Sequence, residues 1–202
     1  MTVYYGYSAS GDLLEILKVG NKVRIVGVVS KYEAAGTYQV SGLTYDIMRP
    51  THADNTQLIE SGHSGAYELV SASDFANKQI TIEKEDAEGN VVSKDYKLAE
   101  LKLNSSIAMN NLTVEKTYTT TNEQSSSQGA MTLTCTVDGI EIQVRTIVLK
   151  DEEGNIITAD TYKGKTINVK GMVEYYDADT NDEEPGEYQI KIFSAKDITI
   201  VG

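Results

Sequence analysis

A chain of 202 residues has room for one large domain or two modest ones, and its 30 acidic against 18 basic side chains leave a net charge of −12. That sign argues against a general nucleic-acid coat or a binder of anionic membranes. The single cysteine excludes an internal disulfide and a thiolate zinc cluster, the two histidines leave little material for proton transfer, and no apolar run reaches the roughly 18 residues of a membrane span.

In chain order, Met1 to Tyr7 lacks a basic start followed by an apolar stretch and does not read as a secretory signal. Asp12 to Lys18 predicts a short helix. Period-two alternation rich in Val, Ile, Thr and Tyr predicts strands over 22–32 and 37–43. Pro50 to Gly65 reads as a polar linker. A helical turn at Ser73–Asn77 precedes a hairpin, Gln79–Lys84 with Val91–Lys97, closed by Glu88-Gly89-Asn90, and Leu98–Leu103 suggests another turn. Further strands are predicted over 112–120, 131–137, 140–149, 166–176 and 187–193, punctuated by Asp138-Gly139, Glu153-Gly154-Asn155 and Pro185-Gly186. Cys135 shares a strand face with Met131 and Leu133, which reads as a packed, unreactive thiol.

An internal repeat sets the architecture. Gly20-Asn21-Lys22-Val23-Arg24-Ile25-Val26-Gly27-Val28-Val29-Ser30-Lys31-Tyr32 is answered by Gly164-Lys165-Thr166-Ile167-Asn168-Val169-Lys170-Gly171-Met172-Val173-Glu174-Tyr175-Tyr176. Gly36-Thr37-Tyr38-Gln39-Val40 is then answered by Gly186-Glu187-Tyr188-Gln189-Ile190, and each copy closes on an Asp-Ile pair, Asp46-Ile47 and Asp197-Ile198. Gly27 and Gly171 fall inside strands, where glycine weakens packing unless the strand must bend or bulge, as it must to close a small barrel. Three strands before the second copy, a connector over 155–163 and two strands within it give the order of an OB fold. The fold class expected is therefore all-β, with tandem OB-fold-like five-stranded barrels. Residues 1–50 form a partial barrel with strands three to five, 51–101 a linker and β-hairpin elaboration, and 102–202 a complete barrel. The absent first two strands mean either that the chain is a piece of a longer protein or that residues 51–100 fill the gap, and a fragment is the expectation.

The stretches 20–32, 36–45 and 186–193 resemble the tandem OB-fold-like domains of Gram-positive surface and secreted proteins. In that family such modules often adjoin nuclease- or phosphodiesterase-type domains. The resemblance implies an extracellular or cell-surface setting and neighbouring domains as partners. It implies no catalytic residues, because none of the matched positions belongs to an active site.

Candidate chemistry is sparse. Both histidines, His52 and His63, lie in the polar stretch Thr51–Ser64 and read as solvated, and no phosphate-binding glycine loop is present. Asp177, Asp179 and Asn181 reproduce three ligand positions of a calcium loop, but Asp182 stands where glycine makes the turn and Tyr188 where a bidentate glutamate belongs. A charged hairpin tip is the plainer reading, with adventitious Ca²⁺ binding its alternative and no cofactor expected. Single-stranded nucleic acid is the ligand class that an OB fold suggests, held on strands two and three between the loops at 121–129 and 177–186. The second of those loops is acidic, whereas residues 1–50 balance five cations against four carboxylates. Tyr4, Tyr5, Arg24 and Tyr38 are therefore the ligand-binding candidates of the first repeat, with Arg145 on the third strand of the barrel. Arg145 is expected to pair across the sheet with Glu141 or Glu115. The function expected is a non-enzymatic binding or accessory module contacting single-stranded nucleic acid. A structural spacer, or a protein- or glycan-interaction module, is the alternative. No membrane insertion is expected.

Overall fold

The chain divides into two units, Met1–Ala66 and Tyr67–Gly202. The computed structural model describes residues 2–4, 12–32, 37–41, 55–177 and 185–201. Strand accounts for 51% of the described residues, and no described helix reaches seven residues.

In the first unit, β1 (Thr2–Val3) runs parallel to β4 (Thr37–Ser41), which pairs antiparallel with β3 (Val28–Tyr32). A separate ribbon joins β2 (Lys22–Ile25) to β5 (Thr56–Glu60). The strand expected over 22–32 is thus interrupted at Val26-Gly27. The short helix α1 (Asp12–Ile16) buries Leu13, and the Asn21 side-chain amide donates to the carbonyls of Glu15 and Ile16 at its end. The polar linker expected over Pro50–Gly65 is corrected by β5. Gln57, Leu58, Ile59 and Glu60 are all exposed there, so the segment carries no clear alternation, and backbone pairing to β2 makes it a strand. Among the described residues of this unit there is no closed barrel, so a second barrel is not shown; Asp46-Ile47 lies outside them.

The pairing registers nonetheless repeat. Val23 opposes Leu58 as Ile167 opposes Ile200, and Val29 opposes Val40 as Val173 opposes Ile190. Val3 stands level with Val40 as Val144 does with Ile190. The counterpart of the C-terminal strand at Ile198–Val201 is therefore β5.

The second unit opens with β6 (Glu68–Leu69), α2 (Ala72–Asn77), the ribbon of β7 (Gln79–Glu85) and β8 (Val91–Lys97), and α3 (Leu98–Leu101). Ser71 caps α2 by accepting the Asp74 N–H, while Phe75, Leu98 and Ala99 join the core. The barrel follows, built from β9 (Ser106–Thr119), β10 (Met131–Val137), β11 (Ile140–Thr146), β12 (Thr166–Tyr176) and β13 (Glu187–Ile192), with β14 (Ile198–Val201) beside β12. β9 pairs with β10, β10 with β11, β11 with β13, β13 with β12, and β12 returns to β9; the β11–β13 pair alone is parallel. This is a closed five-stranded mixed barrel.

Two features let it close. β9 carries register shifts where Asn110-Asn111 oppose Asn168 and where Glu115 is extra between Val114 and Lys116, and such bulges bend and twist a strand. β12 leaves β9 for β13 near Gly171, where an added Cβ would sit 2.5 Å from the Lys191 carbonyl oxygen and 2.7 Å from Ile190 Cγ2. Gly171 is thus required by close approach of neighbouring strands. Alternate residues of every strand meet inside, among them Ile107, Leu112, Leu133, Val144, Ile167 and Ile190, all fully buried. Cys135 lies among them, and burial pushes its thiol pKa up to about 12.

Two turns outside the barrel share one chemistry. Asp86 accepts hydrogen bonds from the backbone N–H groups of Glu88 and Asn90 and from the Asn90 amide, and Asp151 accepts equivalent bonds from Asn155. Gly89 and Gly154 take positive φ in the same place.

Candidate functional site

The alternation that fills the barrel necessarily turns Thr132, Thr134, Gln143 and Arg145 outward on β10 and β11. Thr132 stands directly opposite Arg145, and Tyr118 of β9 opposite Thr132. The Arg145 guanidinium donates to Thr132 Oγ1 at 2.9 Å and to Thr120 Oγ1 at 2.8 Å. It is half-buried and makes no ion pair among the described residues. The partners expected for it bond elsewhere: Glu141 accepts from the Gln143 amide and Glu115 from the Thr136 hydroxyl. On a strand, Glu141 lies four residues from Arg145 and faces Thr136, too far along the ladder to reach it.

Arg145 contributes to a cleft of about 690 Å³ between the loop at 121–129 and the end of β12. Tyr118 and Tyr176, 60% and 51% exposed, offer flat faces to it. Asn122, Ser125 and Ser127 of the loop bring hydroxyl and amide groups, as do Thr134, Gln143 and Gln189 on the strands. The loop is held in shape internally, Asn122 Oδ1 accepting the Gln124 N–H and Ser125 Oγ the Ser127 N–H. Glu187 also lines the cleft, and desolvation followed by the nearby Glu141 charge raises its carboxyl above the usual range. By contrast Lys191, next to Arg145 in register, is neutralised by Glu174, which also accepts from the Gln189 amide. Outside the cleft lining, the Gly186 N–H donates to the Tyr175 hydroxyl, and a Cβ at Gly186 would meet the Tyr176 carbonyl oxygen at 2.4 Å.

The first-repeat candidates are not gathered in one place. Arg24 is exposed on β2, whereas Tyr38 is exposed on β4, in a different sheet. The Tyr4 N–H bonds the Val40 carbonyl, which sets Tyr4 level with Ser41 and on the opposite face from Tyr38. Tyr5 lies outside the described residues, as do Asp179 and Asn181; Asp177 is half-buried at the end of β12. Among the described residues no group of three or more potential ligands could hold a metal ion. His63 is exposed, its Nε2 lying 3.0 Å from Glu60, which also pairs with Lys22.

The residues that reasoning from sequence passed over are Tyr118, Thr120, Thr132, Tyr176 and Glu187. The outward alternation of Met131–Val137 and Ile140–Thr146 carried the signal for the strand positions, whereas Tyr176 and Glu187 join them only through closure of the barrel. Comparisons with known protein families, with curated proteins and with solved structures gave no match.

Proposed function

We propose that the second unit is an OB fold whose cleft over β10 and β11 binds an oligosaccharide, and that the chain is a non-catalytic binding module of a larger extracellular protein. The strand order with its one parallel pair supports the fold assignment, as does the position of the cleft beside the loop joining the first two strands. The observation that carries the reading is Arg145: a half-buried guanidinium in an acidic chain, bonded to two neutral hydroxyls and keeping further N–H donors for a ligand. One cation among hydroxyls, amides and two tyrosine faces suits a sugar polymer, which presents many neutral hydrogen-bonding groups. A nucleic-acid strand brings a phosphate at each step and calls for repeated cations. The resemblance to surface and secreted proteins supports the extracellular setting.

The test is titration of the full chain with neutral and uronic-acid oligosaccharides and, separately, with a single-stranded oligothymidylate. Saturable saccharide binding that weakens about tenfold or more in Arg145→Ala and Tyr118→Ala, with unfolding midpoints close to that of the parent, is expected. Tight oligothymidylate binding with a steep salt dependence assigns the cleft to nucleic acid instead. Binding of neither probe by a folded chain leaves a spacer.

A further inference from the structure

The two ends of the cleft in the second unit carry opposite charge, each beside a tyrosine. At one end Tyr118 stands opposite Thr132 and Thr132 opposite Arg145, so the exposed Tyr118 ring and the guanidinium share a row across the strands. At the other end Tyr176 stands opposite Glu187, which also feels the charge of Glu141 on β11. Between them the lining is neutral, with Thr134 opposite Gln143, and Gln189 on β13. Arg145 and Glu141 lie four residues apart on β11, about 13 Å along the strand, farther than one sugar ring extends. Among the described residues that line the cleft, Arg145 is the one cation and Glu187 the one carboxylate. Lys116, opposite Thr134, and Lys191, held by Glu174, stand outside the lining.

Taking the cleft as a saccharide site, the reading on which this rests, we propose that its ligand is acidic at one end only. One uronic-acid residue sits against Tyr118 with its carboxylate on Arg145, and uncharged sugars run from there to Tyr176 and Glu187. The bonds from Arg145 to Thr132 and Thr120 use one N–H of each terminal nitrogen and leave the remaining donors to a carboxylate. Both hydroxyls are neutral, so they hold the half-buried charge without balancing it; a carboxylate balances it where water screens less than in the open. Glu187 and Glu141 act in the opposite sense. A second carboxylate arriving there meets two of like sign, whereas an uncharged sugar donates its hydroxyls to Glu187. Selection therefore comes from repulsion at one end as well as attraction at the other.

The test titrates the full chain with three β-1,4-linked glucose tetrasaccharides of one backbone: the neutral form, a form with only the terminal residue oxidised to glucuronic acid, and a form with every residue so oxidised. The singly oxidised probe is expected to bind about tenfold or more tightly than either of the others. Arg145→Gln should erase its advantage over the neutral probe. Glu187→Gln should strengthen binding of the fully oxidised probe about fivefold and leave the singly oxidised one unchanged. Unfolding midpoints show that the variants have kept their fold; should Arg145→Gln lose it, Arg145→Lys takes its place, keeping the charge and losing the planar fork, and the advantage should shrink. Equal binding of the neutral and singly oxidised probes overturns this inference and leaves the saccharide reading standing. So does a fully oxidised probe that binds as tightly as the singly oxidised one, or that gains nothing from Glu187→Gln. Binding of none of the three by the folded chain overturns the saccharide reading and this inference with it.

Discussion

Asn168 Oδ1 accepts the backbone N–H of Asn111 at 2.9 Å, joining β12 to the bulge on β9. Asn111 takes φ of +61°, a conformation that asparagine tolerates better than most residues, and the bulge leaves its N–H without a ladder partner. Asn168→Ala is expected to destabilise the barrel by about 1 kcal/mol, and Asn111→Val by more, because a branched side chain is strained at positive φ. Urea unfolding of the two variants measures both effects. Equal stability of Asn168→Ala and the parent would show that water serves the bulge as well.

Gly171→Ala places a methyl 2.5 Å from the Lys191 carbonyl oxygen and against Ile190 and Ile192. Backbone has to move to make room, at a cost of about 1–3 kcal/mol. The expected signature is a lower urea midpoint with widened chemical-shift changes along β13, and an unchanged midpoint would remove close approach as the reason for this glycine.

Thr146 is buried, and its Oγ1 accepts the N–H of Met131 at 3.0 Å. Thr146→Val keeps the shape and removes the acceptor, stranding a buried donor at a cost of about 1–3 kcal/mol. Thr146→Ser keeps the bond and loses one methyl, at a cost of about 1 kcal/mol or less. The serine variant should therefore be the more stable of the two in thermal melts, and the reverse order would mean that volume outweighs the hydrogen bond here.

Acidification acts on this fold in two directions. Hydrogen bonds from Asn90, and then from Glu88, hold the Asp86 carboxyl below the usual range, and the Asn155 amide and backbone do the same for Asp151. The stability these aspartates contribute is complete above their unfolded-state pKa and is lost as pH falls through the lower folded one. Glu187 has the opposite sign: its raised folded pKa means that its ionised form disfavours the fold, a penalty relieved as pH falls below the folded value. Glu187→Gln should therefore raise the urea midpoint at neutral pH and lose that advantage in mild acid, whereas Asp86→Ala and Asp151→Ala should lower it at neutral pH and converge on the parent in strong acid. A Glu187→Gln midpoint below that of the parent at neutral pH would refute the assigned sign.

The barrel was legible wherever alternation runs unbroken, as in Met131–Val137, Ile140–Thr146 and Thr166–Tyr176. It was hidden where a bulge shifts the phase. Ile107 and Met109 point inward, then Leu112 and Val114 do, so β9 begins six residues before the strand that period two suggests. β5 escaped because its residues from Gln57 to Glu60 are all exposed, and its identity rests on backbone pairing to a distant segment. Arg145 was found from its strand position. Its partners were misjudged because cross-strand neighbours depend on register, which places Thr132 opposite it. Tyr176 and Glu187 reach the cleft only through the crossing of β12 and β13, and such tertiary closure leaves no mark on spacing.

The sealed thiol of Cys135 also serves as a clock for the barrel. Since its sulfur is screened from solvent and held protonated at neutral pH, a maleimide or disulfide reagent can capture it only during an opening excursion. The pace of labelling thus measures how often this unit breathes, while a cysteine engineered anywhere on the exterior would react promptly and against a silent background.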